Sequence, residues 1–189
     1  MSIQNVLVVA EIQRETLGDV TLELLAAARG LASASGGEVV ALVLSPDGTR
    51  HAAALGAADR IVLVDDPLLA AYSPGPFAAA LEEVVRAEGP RAVLIGATSI
   101  GWDLGPLLAA RLDAPLVTGC KAVEAVGDAL RVTTSFCGGK MMAELQVKAA
   151  PAVLVVLPGS FRADGAMGKA VVEQRKNQRY PDMKRLDKE

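Results

Sequence analysis

Aromatic residues are scarce: three Phe, two Tyr and one Trp make up 3% of the 189 residues, although 51% of the chain is apolar. A core must therefore be built from Ala, Val and Leu, small side chains that suit closely packed helix-on-sheet layers. Two cysteines, Cys120 and Cys137, are too few for a disulfide framework and fit a reducing compartment; both are expected as buried or half-buried thiols. One histidine, His51, and no CxxC pair leave no ligand set for zinc or an iron–sulfur cluster. No apolar run reaches the roughly 20 residues of a membrane span, so no membrane insertion is expected. Met1-Ser2-Ile3-Gln4-Asn5 lacks the basic region of a signal peptide and leads straight into a strand, and a cytoplasmic location is the expectation. GxGxxG is absent after the first strand, and no Gly-Lys-Ser/Thr follows any glycine-rich turn, which excludes the dinucleotide fingerprint and the phosphate-binding P-loop.

Charge is unevenly placed. The net charge is −3, but from Arg162 onward eight Lys/Arg face five Asp/Glu, so this stretch carries +3 and the body −6. A mildly acidic body argues against nucleic acid as a partner.

What is present is alternation. Val6–Ala10 is a continuous apolar run that reads as a central parallel strand. A helix is predicted over Thr21–Ala34, ended by Ser35-Gly36-Gly37, then a strand over Val39–Leu44, a short helix over His51–Leu55 and a strand over Arg60–Val64. Asp65-Asp66-Pro67 reads as a solvated turn rather than a metal pair, and Tyr72–Phe77, with two prolines and a glycine, as a loop. Phe77–Glu88 is predicted helical, followed by a strand at Arg91–Ile95 and a helix carrying Leu104, Leu107, Leu108 and Leu112. A short strand at Pro115–Thr118 precedes β segments at Lys121–Val126, Ala129–Phe136, Lys140–Val147 and Ala152–Leu157, with Gly127-Asp128 as a hairpin turn. The fold class implied is α/β, a three-layer sandwich with a mostly parallel sheet and an antiparallel edge. Residues 1–161 are expected to form the domain, and residues 162–189 a charged extension with a short helix around Lys169–Lys176.

The most informative stretch is Gly96-Ala97-Thr98-Ser99-Ile100-Gly101-Trp102-Asp103, between the fourth major strand and its helix. Ligands of open α/β sheets collect at the carboxyl ends of strands, where helix N-termini offer unpaired N–H groups. Two readings stand. In one, Asp103 is the helix N-cap, Pro106 falls at the third helical position and Gly101 is a turn residue. In the other, Gly96, Ala97, Thr98, Ser99, Gly101 and Asp103, with Ala10 and Glu11 at the end of the first strand, form a nucleotide- or partner-binding loop. No nucleophile–base pair marks an enzyme, so neither a catalytic nor a metal residue is assigned.

Several segments carry a family resemblance: Val6–Glu11 with Thr21–Arg29, Gly56-Ala57-Ala58-Asp59, Val64–Tyr72, Gly96-Ala97-Thr98 with Gly101-Trp102-Asp103-Leu104 and Pro106, Phe136-Cys137-Gly138-Gly139-Lys140, and Pro158-Gly159-Ser160-Phe161. In this order and spacing, over residues 5–161, the chain resembles the N-terminal domain of electron-transfer flavoprotein α subunits. That resemblance implies the adenine-nucleotide-binding type of sandwich shared by electron-transfer flavoprotein subunits and universal-stress proteins. In the family, FAD sits in a second domain whose glycine-rich signature is missing from this sequence. The chain itself is thus expected to hold no cofactor, with FAD supplied in the complex by another domain or chain. Leu157 stands where the family carries Arg before the Pro-Gly turn, and Gly139 or Lys140 where it carries Asn. The implied role is an assembly domain, not an enzyme, pairing with a β-type subunit or flavin-domain chain or forming a homo-oligomer. The alternative is a free-standing module that binds AMP or ATP.

Overall fold

The computed structural model describes residues 5–13, 15–163 and 170–176. Its strands are β1 (Val6–Ala10), β2 (Ile12–Gln13), β3 (Thr16–Leu17), β4 (Val39–Leu44), β5 (Arg60–Asp65), β6 (Ala92–Gly96), β7 (Leu116–Val126), β8 (Ala129–Phe136), β9 (Met141–Val147), β10 (Ala152–Val156) and β11 (Val171–Lys176). The α-helices are α1 (Asp19–Ser35), α2 (Pro74–Glu88) and α3 (Ser99–Leu112), joined by 3₁₀ turns at Gly48–Leu55 and Pro67–Leu69. Nine strands form one sheet in the order β11-β5-β4-β1-β6-β10-β7-β8-β9, and β2 and β3 form a separate two-stranded hairpin. The strands from β11 to β7 run parallel, while β8 and β9 add an antiparallel edge.

The three layers follow from the period of two in a strand. In β1, Val6, Val8 and Ala10 face the layer of α1, whereas Leu7 and Val9 face α2 and α3. Both faces are covered, so β1, β4, β6 and β10 are buried along their whole lengths. The α1 residues Leu24, Leu25, Ala28, Leu31 and Ala32 recur at helical spacing and pack on one side. Gly36 closes α1 in the left-handed region at φ 72°, its N–H donating to the Ala32 carbonyl, a conformation that glycine adopts without a Cβ penalty.

Four local expectations are corrected. The stretch with two prolines is not all loop: Pro74 opens α2 at its first position, where a missing N–H costs nothing and φ is already helical. The β segments on either side of Gly119 are one strand of 11 residues, bent by a bulge at Gly119 (φ 70°). Its first half pairs parallel with β10 and its second half antiparallel with β8. Residues 171–176, expected as helix, are strand β11 beside β5. Its charges join β11 to β5 and to the end of α2: Arg60 binds Glu88 at 2.9 Å and Glu173 at 3.0 Å, and Arg175 binds Glu88 at 2.6 Å and Glu173 at 2.8 Å. The rest of the helix expected at Lys169–Lys176, Lys169 itself, lies outside the described residues. Finally, Cys120 is buried as expected, but Cys137 is exposed in the turn after β8, at φ 52°.

Arg91 ties the antiparallel lobe to the body. Among the described residues its buried guanidinium meets no carboxylate and donates to the carbonyls of Val147 (2.6 Å), Ala149 (2.8 Å) and Asp128 (3.2 Å). Burial lowers its pKa from the ordinary arginine value, with the Asp128 charge opposing.

Candidate functional site

From β1 the chain builds outward through β4 and β5, then returns to the other side of β1 to place β6. The order reverses between β1 and β6, and at such a switch point the loops leaving two carboxyl ends diverge and open a crevice. A cavity of about 250 Å³ lies there. Its walls include Leu44 and Ser45 at the end of β4, Leu69 and Tyr72 after β5, Phe77 on α2, and Ile100 and Leu104 on α3; Glu11, Glu15 and Arg50 are also part of its lining.

The predicted loop residues divide. Ala10, Glu11 and Gly96 line the cavity, whereas Ala97, Thr98, Ser99, Gly101 and Asp103 are not among its lining residues. Thr98 is nonetheless joined to it. Its hydroxyl donates a hydrogen bond to the Glu11 carboxylate and accepts from the Gly101 N–H at 3.2 Å. Thr98, not Asp103, is therefore the N-cap of α3. Asp103 and Pro106 lie inside a helix that begins five residues earlier than the cap reading requires. Glu11 is held further by Gln13, whose Nε2 donates at 2.6 Å, and its own backbone N–H donates to Thr21 Oγ1 at 3.0 Å.

Gly101 is not a turn residue but the point where α3 presses on the end of β6. A Cβ there would lie 1.7 Å from the Gly96 carbonyl oxygen. Asp103 acts elsewhere, from outside the cavity, on the wall residue Tyr72. Its carboxylate accepts from the Tyr72 hydroxyl at 2.7 Å and so fixes that ring in place. The Tyr72 ring meets Phe77 edge-on, with centroids 5.1 Å apart. Burial and the bond to the Asp103 carboxylate both hold the Tyr72 phenol well above its ordinary pKa.

Sequence reasoning missed Ser45, Arg50, Leu69, Tyr72 and Phe77. Ser45-Pro46, directly after a buried strand, was a readable signal, since every strand end at a switch point is a candidate; Tyr72 and Phe77 were hidden in the expected loop. Beside Arg50 lies the buried His51, whose Nε2 accepts from Arg50 Nε at 3.2 Å. Burial, then the Arg50 charge, lowers its pKa below the ordinary histidine value, so it is a packed neutral residue at neutral pH. Asp66 caps the 3₁₀ turn by accepting from the Leu68 N–H at 2.8 Å, as a solvated turn would. Among the described residues no group of three or more His, Cys, Asp or Glu is placed to hold a metal ion, and no helix is long and apolar enough to cross a membrane.

Known proteins resemble this chain in sequence. The electron transfer flavoprotein domain matches residues 6–179. The chain is similar to the electron transfer flavoprotein subunit alpha of Megasphaera elsdenii, 33% identical over 182 residues, covering 92% of this chain and 54% of that one. It is similar to protein FixB of Rhizobium meliloti, 33% identical over 164 residues (82% and 46%). It is also similar to the acryloyl-CoA reductase electron transfer subunit beta of Anaerotignum propionicum, 36% identical over 121 residues (63% and 33%). The chain spans between a third and about half the length of these relatives.

Proposed function

Because the chain belongs to the electron transfer flavoprotein family, we propose that it serves electron transfer as an assembly domain, joined to a β-type subunit or flavin-domain chain that carries the FAD. Its role is to hold and orient the flavin-bearing partner in a cytoplasmic complex rather than to catalyse a reaction. The body, residues 1–161, supplies the interface, and within the extension strand β11 (Val171–Lys176) straps the β5 edge.

The observation that carries this reading is the outer antiparallel edge. Phe136 pairs with Met141, and Val132 with Leu145, so these side chains share the sheet face whose inner part, Leu130 and Val132, is buried on the α1 side. α1 covers that inner part only: Phe136, Met141 and Leu145 are 41%, 52% and 41% exposed. The opposite face is polar apart from Met142, with Arg131 placed between Glu124 (3.7 Å) and Glu144 (3.5 Å). Within the described sheet β9 pairs only with β8, leaving one row of backbone groups open. An apolar stripe beside an open edge is the surface that a partner covers.

Co-expression with a β-type subunit tests the proposal. The complex should be yellow, with flavin bound in proportion to the partner, and the chain purified alone should be colourless. One equivalent of FAD in the lone chain would refute it.

A further inference from the structure

We propose that a second cavity, at the amino ends of β1 and β6, binds a short aliphatic carboxylate with its head on Arg91. It lies at the other end of β1 from the crevice and shares no residue with the exposed stripe of β9, so it stands apart from the assembly role. The last turn of α1 and the turn between β7 and β8 enclose about 170 Å³ there. A water takes roughly 30 Å³, so the space holds a ligand of about six water-sized heavy atoms.

Arg91 lines this cavity and is only 7% exposed. A guanidinium carries five N–H donors. Those of Nη1 and Nη2 make the three bonds to the carbonyls of Val147, Ala149 and Asp128. Nε takes part in none of them, so its N–H and a second proton on Nη1 have no acceptor among the described residues. Carbonyls satisfy donors but do not neutralise a charge, and a buried cation without a counter-charge is costly. The exposed Asp128 carboxylate acts on this cation through charge alone. One full positive charge with donors to spare thus meets a small cavity, and a monoanion answers both needs.

The walls decide what the monoanion carries. Val6, Leu31, Ala125, Ala129 and Leu130 are apolar, and all but Ala125 are buried. The Ser35 hydroxyl donates its proton to the Leu31 carbonyl at 2.9 Å, which leaves it none for a ligand. Phosphate, with oxygens on every side and nearly two charges at neutral pH, would set most of its acceptors against hydrocarbon. A carboxylate with a tail of about three carbons puts its oxygens on the guanidinium and its methylenes on these walls. Ala34 is exposed at the cavity, on the side from which a ligand enters.

Isothermal titration of the full chain with sodium butanoate, 1-butanol, acetate and phosphate, at matched ionic strength, tests this. Butanoate should saturate one site. Butanol keeps the tail and loses the charge, acetate keeps the charge and loses two methylenes, and each should bind about tenfold more weakly or worse. Phosphate should bind no better than acetate. Ala34→Phe, which closes the entry from an exposed helical position, should abolish butanoate binding while melting like the wild type. No saturable heat at millimolar butanoate would overturn the proposal, as would equal binding of butanol, tighter binding of phosphate, or unchanged binding in Ala34→Phe. Because Arg91 also anchors the antiparallel lobe, an Arg91→Met variant can fail to fold; the four-ligand comparison on the unaltered chain decides the matter without it.

Discussion

Gly30 and Gly101 both sit inside helices, yet replacing each by alanine should move stability in opposite directions. Alanine favours a helix interior over glycine by roughly 0.5–1 kcal/mol. Around Gly30, on α1, a Cβ would meet no atom within 4 Å, so Gly30→Ala keeps that whole gain. A domain of this size changes its melting temperature by about 2–4 °C per kcal/mol, and Gly30→Ala should melt higher by roughly 1–4 °C. At Gly101 the new Cβ would lie 1.7 Å from the Gly96 oxygen, 2.9 Å from its carbonyl carbon and 3.1 Å from Ile95 Cγ2. Two of these three neighbours are backbone, which no rotamer change relieves. Either α3 or the end of β6 must shift, and the buried Leu104 and Leu108 leave their packing with it. Overpacking of this severity costs about 3 kcal/mol or more, which outweighs the helix gain and leaves a net loss near 2 kcal/mol, about 4–8 °C. Thermal melts followed by far-ultraviolet circular dichroism, with urea midpoints as a check, give both values. A Gly101→Ala variant that melts at or above the wild type would refute the close approach of α3 to β6.

The remaining predictions concern individual side chains. In a Tyr180→Phe background, Asp103→Asn should lower the Tyr72 phenol pKa towards its ordinary value, because the carboxylate that accepts its proton is removed; an unchanged ultraviolet titration would eliminate that contact. Asp59 is bound by the Arg29 fork (2.9 and 3.0 Å) and the Val39 N–H (2.8 Å), and these outweigh the opposing effect of burial to depress its pKa. A depressed carboxylate stabilises fully above its unfolded pKa, ordinarily 3.8, and that stabilisation is lost as pH falls through the lower folded value. The urea midpoint of the wild type should therefore exceed that of Asp59→Asn at neutral pH, and the difference should shrink below pH 3.8; a constant difference would contradict the linkage. Cys120 is buried with its thiol pushed up to about 12, and Cys137 is exposed. A thiol reagent at mildly alkaline pH should modify one cysteine quickly and the second only on unfolding, with Cys137→Ser removing the fast phase.

The legible parts of the fold were those decided locally. Val6–Ala10 has an apolar residue at every position and could only be a doubly covered strand; Gly36 and the Gly127-Asp128 turn announced chain reversals by conformational need. What stayed hidden was decided across the sequence. Residues 171–176 have no local reason to prefer strand over helix until Arg60 and Glu88 supply partners 113 and 87 residues away. Asp103 looks like a cap because Asp caps helices, but Thr98 also does, and choosing between them needs Glu11 to bind Thr98 and Tyr72 to bind Asp103. At the candidate site the strand ends were foreseeable from topology, hence Ala10, Glu11 and Gly96. The walls come from elements folded over those ends, and a sequence does not say how far Tyr72 or Phe77 will lean in.

The assembly role is tested most directly by the mass of the complex. Light scattering of the chain mixed with a β-type flavin-bearing subunit should give a heterocomplex, and the double variant Met141→Glu with Leu145→Glu, which charges the exposed stripe on β9, should elute as separate components while melting like the wild type. Separate components for the unaltered chain, or a heterocomplex that the double variant leaves intact, would contradict the account.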